Sequence, residues 1–202
     1  MFLVVVCYCG NRSERTSVTY PLQILKYEEL IVNLMSKNKS LSKQFTTITK
    51  VSIMGLVVDM SAFGLHHYAE KYLEATKKLM PVLSEIDPAR SYLMCHSIEL
   101  SLKAYLCMKG INMPEAIKYM HNLEKIIDKC IKLDLSTLVK LSKSEIEEVK
   151  KASIYYAGKV FEYPSIVEGN TGYSSKPDMQ LLLLVAERLV EELKAPCLEH
   201  SQ

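Results

Sequence analysis

From residue 60 onward the apolar residues of this chain recur at spacings of three and four, the period of helices with one buried face. Ser61 can cap a first helix whose apolar positions are Leu65, Tyr68, Tyr72, Leu73, Leu79 and Met80, ending before Pro81. Asp87-Pro88 is an N-cap followed by proline at the first helical position, and it launches a second helix that stops at Gly110. Asn112-Met113-Pro114 opens a connection with a short helical piece. His121 to Ile131 then reads as a third helix, with Leu123, Ile126, Ile127 and Cys130 on its apolar face. Ser144 with Glu147 three residues later reads as a capping box for a fourth helix, running to about Tyr156. Residues 164–177, rich in Ser, Gly, Asn and Pro, read as a long surface loop, and Pro177-Asp178 starts the last helix, LLLLVAERLVEEL. No strand or internal repeat is expected after residue 60.

The pattern before residue 60 is different. Residues 1–20 show no consistent period, residues 21–37 suit one amphipathic helix, and KNKSLSKQ at 37–44 is a polar linker. Phe45 to Met60 mixes Thr46, Thr47, Ile48, Thr49, Val51 and Ile53 with a glycine, which suits a strand or a poorly ordered stretch. A lone strand has nowhere to pair. Residues 1–59 are therefore expected to be an N-terminal extension, partly disordered or loosely packed, with Met54 or Met60 opening a compact domain over 60–196. The fold class that follows is all-α: an up-down bundle of four to five helices with an irregular N-terminal extension.

The second helix, ARSYLMCHSIELSLKAYLCM, is apolar nearly all round yet carries His96, Glu99 and Lys103. At the helical period those three residues share about 60° of arc. Burying a carboxylate and an ammonium is costly unless each finds partners, so this stripe is the most constrained polar spot in the chain. Glu99 and Lys103, four residues apart, are expected to form a network with Tyr156, Lys159 or Tyr163, or to line a ligand pocket.

Charge narrows the partners. The net charge of the 202 residues is +2, but residues 1–59 hold seven Lys or Arg against four Asp or Glu, leaving 18 against 19 for the remainder. A near-neutral folded part lacks the basic footprint of a dedicated nucleic-acid binder, and no DNA is expected as a partner. Cys7, Cys9, Cys95, Cys107, Cys130 and Cys197 are scattered, and Cys7 and Cys9 are one residue apart rather than two, so no metal and no cofactor is expected. Unpaired thiols suit a reducing cytoplasm. MFLVVVCYCG has no leading positive charge or small-residue cleavage site, and no stretch reaches the roughly 18 apolar residues of a membrane span. Gly-rich phosphate loops, Gly-x-Ser-x-Gly elbows and His-Glu-x-x-His zinc helices do not occur.

Three phrases in order, HSIELSLKAYLCMKG (96–110), HNLEKI (121–126) and YYAGKVFEYP (155–164), resemble the HEPN family of small α-helical bundle domains over about residues 60–194. The matching pieces are Glu99 to Ala104, His121 to Leu123 and Tyr155 to Pro164. The resemblance implies a homodimer. Many family members are metal-independent ribonucleases, often toxins or defence components, with an Arg and a His four to six residues apart near the last helices. In such a pair the histidine is general acid or base, and the arginine holds the phosphate by a fork of hydrogen bonds. Arg90 and His96 have similar spacing but lie on the second helix and point about 120° apart. Lys159 stands in the later segment without a histidine close behind it.

The expected function is accordingly a HEPN-like binding or assembly module, with a protein or RNA partner. The rivals are a divergent RNA-cleaving enzyme using Arg90, His96 or His121 with Lys159, and a nucleotide- or small-ligand-binding bundle. In the last, Glu99, Lys103, Lys159 and Tyr163 line the pocket.

Overall fold

The computed structural model describes residues 2–8, 15–21, 50–53, 56–79, 87–163 and 176–200, with side chains from residue 59 onward except at 113 and 114. The helix expected over 21–37, apart from Pro21, which ends a strand instead, the linker at 37–44 and most of the loop at 164–177 lie outside these residues.

Five long α-helices and one single-turn α-helix are present among the described residues, with a 3₁₀ turn at Leu135–Thr137: α1 (Ala62–Lys78), α2 (Pro88–Met108), α3 (Met113–Ile117), α4 (Leu123–Lys132), α5 (Lys143–Ala157) and α6 (Met179–His200). α2 is the axis of the bundle. It packs on α1, α4 and α6, while α5 closes the ring between α4 and α6. Twelve residues of α2 are buried, on all its faces, and its most enclosed apolar side chains include Met94, Ile98, Leu102, Tyr105 and Leu106. The all-α bundle read from the 3.6-residue period is the fold observed.

Local chemistry sets the helix starts. Ser61 Oγ accepts the Gly64 amide at 3.1 Å, and Asp59 accepts the Ser61 amide at 2.9 Å, so α1 begins where expected. Gly64 has no room for a side chain there: a β-carbon would stand 2.2 Å from the Asp59 carbonyl oxygen. Asp87 accepts the Arg90 amide at 3.1 Å ahead of Pro88, and α2 ends before Gly110, whose φ of 80° is the left-handed conformation glycine adopts freely. Asn122, not His121, caps α4 by accepting the Lys125 amide at 2.9 Å. All four apolar positions read for that helix, Leu123, Ile126, Ile127 and Cys130, are buried.

Two helix boundaries differ from the sequence reading. The capping box of α5 is formed by Ser142 and Glu145, two residues earlier than the Ser144-Glu147 pair. Ser142 Oγ accepts the Glu145 amide at 3.2 Å, and Glu145 Oε2 accepts the Ser142 amide at 2.7 Å. The same Ser-x-x-Glu spacing occurs twice, and Arg188 on α6 selects the first by pairing with Glu145 at 2.8 Å. α6 also runs through Pro196 to His200, beyond the LLLLVAERLVEEL stretch read as the last helix and beyond the domain end expected at 196. Cys197, buried beyond the proline against Met108, anchors that last turn.

Ahead of the bundle the backbone pairs where an irregular extension was expected. β1 (Phe2–Tyr8), β2 (Arg15–Pro21), β3 (Lys50–Ile53) and β4 (Leu56–Asp59) form an antiparallel sheet in the order β2-β1-β3-β4. β3 is thus not a lone strand. It pairs with β4 through Val51 opposite Val58, and with β1 through Val51 opposite Cys7. The continuous apolar run of β1 has no period-two alternation, which hides a strand from pattern reading.

Candidate functional site

Glu99 lies at the centre of the bundle with 1% of its side chain exposed, and each carboxylate oxygen is occupied. Lys103, one turn along α2, donates to Oε1 at 2.5 Å. Tyr156, near the end of α5, donates its hydroxyl to Oε2 at 2.6 Å. His121, just ahead of the α4 cap, brings Nδ1 to 3.0 Å from the same oxygen, and His96 Nδ1 stands 3.5 Å away. One carboxylate therefore ties three separate segments of the chain together.

Proton bookkeeping fixes the donors. The Tyr156 hydroxyl has one proton and gives it to Glu99, so the 2.7 Å contact between His96 Nδ1 and the Tyr156 oxygen must use a proton from the ring. Both imidazoles then direct Nδ1–H inward, the orientation a carboxylate partner imposes on histidine. No hydrogen bond to His96 Nε2 exists among the described residues. Aromatic rings hold His96 in place: Tyr72 of α1 meets it edge-on at 4.4 Å, and Tyr92, one turn earlier on α2, stacks on it at 5.7 Å. The His96 and His121 side chains are 16% and 14% exposed, whereas Lys103 is 6% exposed.

Electrostatics follows from the geometry. Burial alone would push the Glu99 carboxyl up, but hydrogen bonds from His121 and His96 and the Lys103 charge outweigh it and hold the group well below the usual range. Burial, together with the Glu99 charge and hydrogen bond, pushes the Tyr156 hydroxyl up, so it stays a proton donor. Glu99 is an anion and Tyr156 is neutral across ordinary pH.

The residues singled out from sequence divide into two groups. His96, Glu99, Lys103 and His121 converge, and Tyr156 joins them as one of the three network partners named for the Glu99–Lys103 pair. Arg90 stands outside their hydrogen bonds: its Nε is enclosed with no hydrogen-bond partner among the described residues. Lys159 occupies a left-handed turn after α5, at φ 59°, and contributes no contact to Glu99 among the described residues, while Tyr163 is 65% exposed. The close approach of His96 to His121, with ring centroids 6.5 Å apart, was not anticipated, nor was the cradle of Tyr72 and Tyr92. Tyr92 and His96 are an i,i+4 pair, so their stacking was legible in the helix period.

His66, a buried histidine outside this network, is structural in a simpler way. His66 Nε2 donates to the Val190 carbonyl at 2.7 Å and fastens α1 to α6. The fold and site together define an all-α bundle built around a buried His-Glu-Lys-His-Tyr network. Comparisons with family models, curated proteins and solved structures find no match for the chain. Among the described residues no helix is long and apolar enough to cross a membrane.

Proposed function

We propose that this chain is a HEPN-like helical binding and assembly module of the cytoplasm, working as a homodimer and lacking an intact Arg–His ribonuclease pair. The observation that carries this reading is the closure of the network. The hydrogen bonds of Glu99 come from Lys103, His121 and Tyr156 of the same chain, and Arg90 takes no part in them. The network holds α2, α4 and α5 in register and leaves recognition of a protein or RNA partner to the outer helix faces. Incubating the purified chain at high excess with total RNA in EDTA tests the absence of cleavage: intact RNA is expected. Sedimentation across a wide concentration range tests assembly, and a monomer at every concentration would remove the homodimer.

One observation favours a second reading, a metal-independent RNA-cleaving enzyme. His96 and His121 are partly exposed, 6.5 Å apart, and share one carboxylate, a geometry in which one imidazole acts as base and the other as acid. RNA cleavage in EDTA that disappears in His121→Ala would establish this reading in place of the first.

A further inference from the structure

We propose that His96 Nδ1, Glu99 Oε2 and His121 Nδ1 form a binding site for a first-row divalent cation of the zinc class. This goes beyond the binding-module reading and does not depend on it.

Each of the three residues offers a ligand atom within 4.8 Å of the others, and Glu99 Oε2 is 3.0 Å from His121 Nδ1 and 3.5 Å from His96 Nδ1. A cation at the usual bond lengths of about 2.0–2.2 Å holds neighbouring ligands about 3.0–3.5 Å apart at angles near 90–110°. The two separations from Glu99 fit that requirement. The Tyr156 hydroxyl and the His121 ring donate to Oε2, the His96 ring, 3.5 Å from it, donates to the Tyr156 oxygen, and a cation between the rings would replace both ring contacts.

Ligation needs the Nδ1 lone pair of each ring, so a proton held on Nδ1 moves to Nε2 or leaves to solvent as the cation binds. Partial exposure of both rings provides a path from the surface. Lys103 stays on the other carboxylate oxygen, 2.5 Å away, as an outer partner that orients it. Its positive charge opposes a second cation, so this site is weaker than one with the same ligands and no ammonium beside it. Two imidazoles and one carboxylate without thiolate suit Zn²⁺, Co²⁺ or Ni²⁺ better than Mg²⁺ or Ca²⁺.

Calorimetric titration of the full chain with ZnCl₂, in parallel with Co²⁺ absorption spectroscopy, tests the site. One saturable equivalent is expected, weakened by at least about tenfold in His96→Gln and in His121→Gln. It should be retained in His67→Ala and His200→Ala, and tightened in Lys103→Met. Circular dichroism establishes that each variant is folded. Should His121→Gln not fold, His96→Gln decides the matter, because its ring lies at the outer edge of the network. Absence of saturable binding, binding indifferent to the folded histidine variants, or a Co²⁺–thiolate charge-transfer band pointing to cysteine ligation would each overturn the proposal.

Discussion

Glu99 and Glu145 are both buried carboxylates held below their usual range, yet they do different work in the bundle. Glu145 stands at the start of α5, accepts the Ser142 amide, and reaches Arg188, whose side chain is 34% exposed. It satisfies the orphan amides of a helix end, with one partner still in solvent. Glu99 sits mid-helix, where no backbone amide needs it, and its partners are side chains from three segments. A helix end calls for an acid of the first kind. The centre of a bundle calls for none, because apolar side chains of similar volume commonly serve as well or better than a buried ion pair. Glu99 therefore gathers polar chemistry beyond the needs of stability, and this difference directs attention to the His96–His121 edge.

The largest expected effect separates the two carboxylates. Glu99→Ala strands the Lys103 ammonium in the core and should cost about 3–5 kcal/mol of unfolding free energy, measured by urea titration. The double variant Glu99→Met/Lys103→Met removes both charges and should recover most of that loss. A Glu99→Ala variant no less stable than Glu145→Ala would erase the distinction between the sites.

Acid unfolding probes the same comparison with a known sign. The folded-state pKa of Glu99 is depressed, against an unfolded value of about 4.3. Its contribution is therefore complete above that value and is lost as pH falls towards the folded pKa, where the native carboxylate finally takes up a proton. Glu99→Gln should flatten this acid limb in chemical denaturation followed between about pH 5 and pH 2. Glu145 has the same sign, but solvent around Arg188 screens the pair, so Glu145→Gln should flatten the limb less.

Much of the bundle was legible because helix signals are local. Ser61, Asp87-Pro88 and Gly110 act on their own turns, and Leu123, Ile126, Ile127 and Cys130 lie on one stripe whatever surrounds them. The polar stripe of His96, Glu99 and Lys103 was legible for the same reason. Its junction with His121 was not, because a separation of 22 positions and a change of direction lie between, and only packing of α4 on α2 brings them together. Tyr156 could be named only as one of three candidates, since where α5 ends decides among it, Lys159 and Tyr163, which lie three and seven residues further on. The strands were missed because their evidence is the partner strand: Val51 reveals little until it stands opposite Val58.

The smallest expected effect concerns the N-terminus of α5, where two identical spacings compete. If Ser142 is the cap, Ser142→Ala removes the acceptor for the Glu145 amide and should cost about 1 kcal/mol. Ser144 is exposed and its hydroxyl contacts only Ser142 Oγ, at 3.0 Å, among the described hydrogen bonds, so Ser144→Ala should change stability by less than about 0.5 kcal/mol. Thermal unfolding of the two variants side by side distinguishes them. Equal losses would mean that the helix starts at either serine, and that the Glu145–Arg188 pair does not select the frame. A loss confined to Ser142 would show a contact from α6 choosing between two local signals of equal strength, the same kind of long-range selection that brings His121 to Glu99.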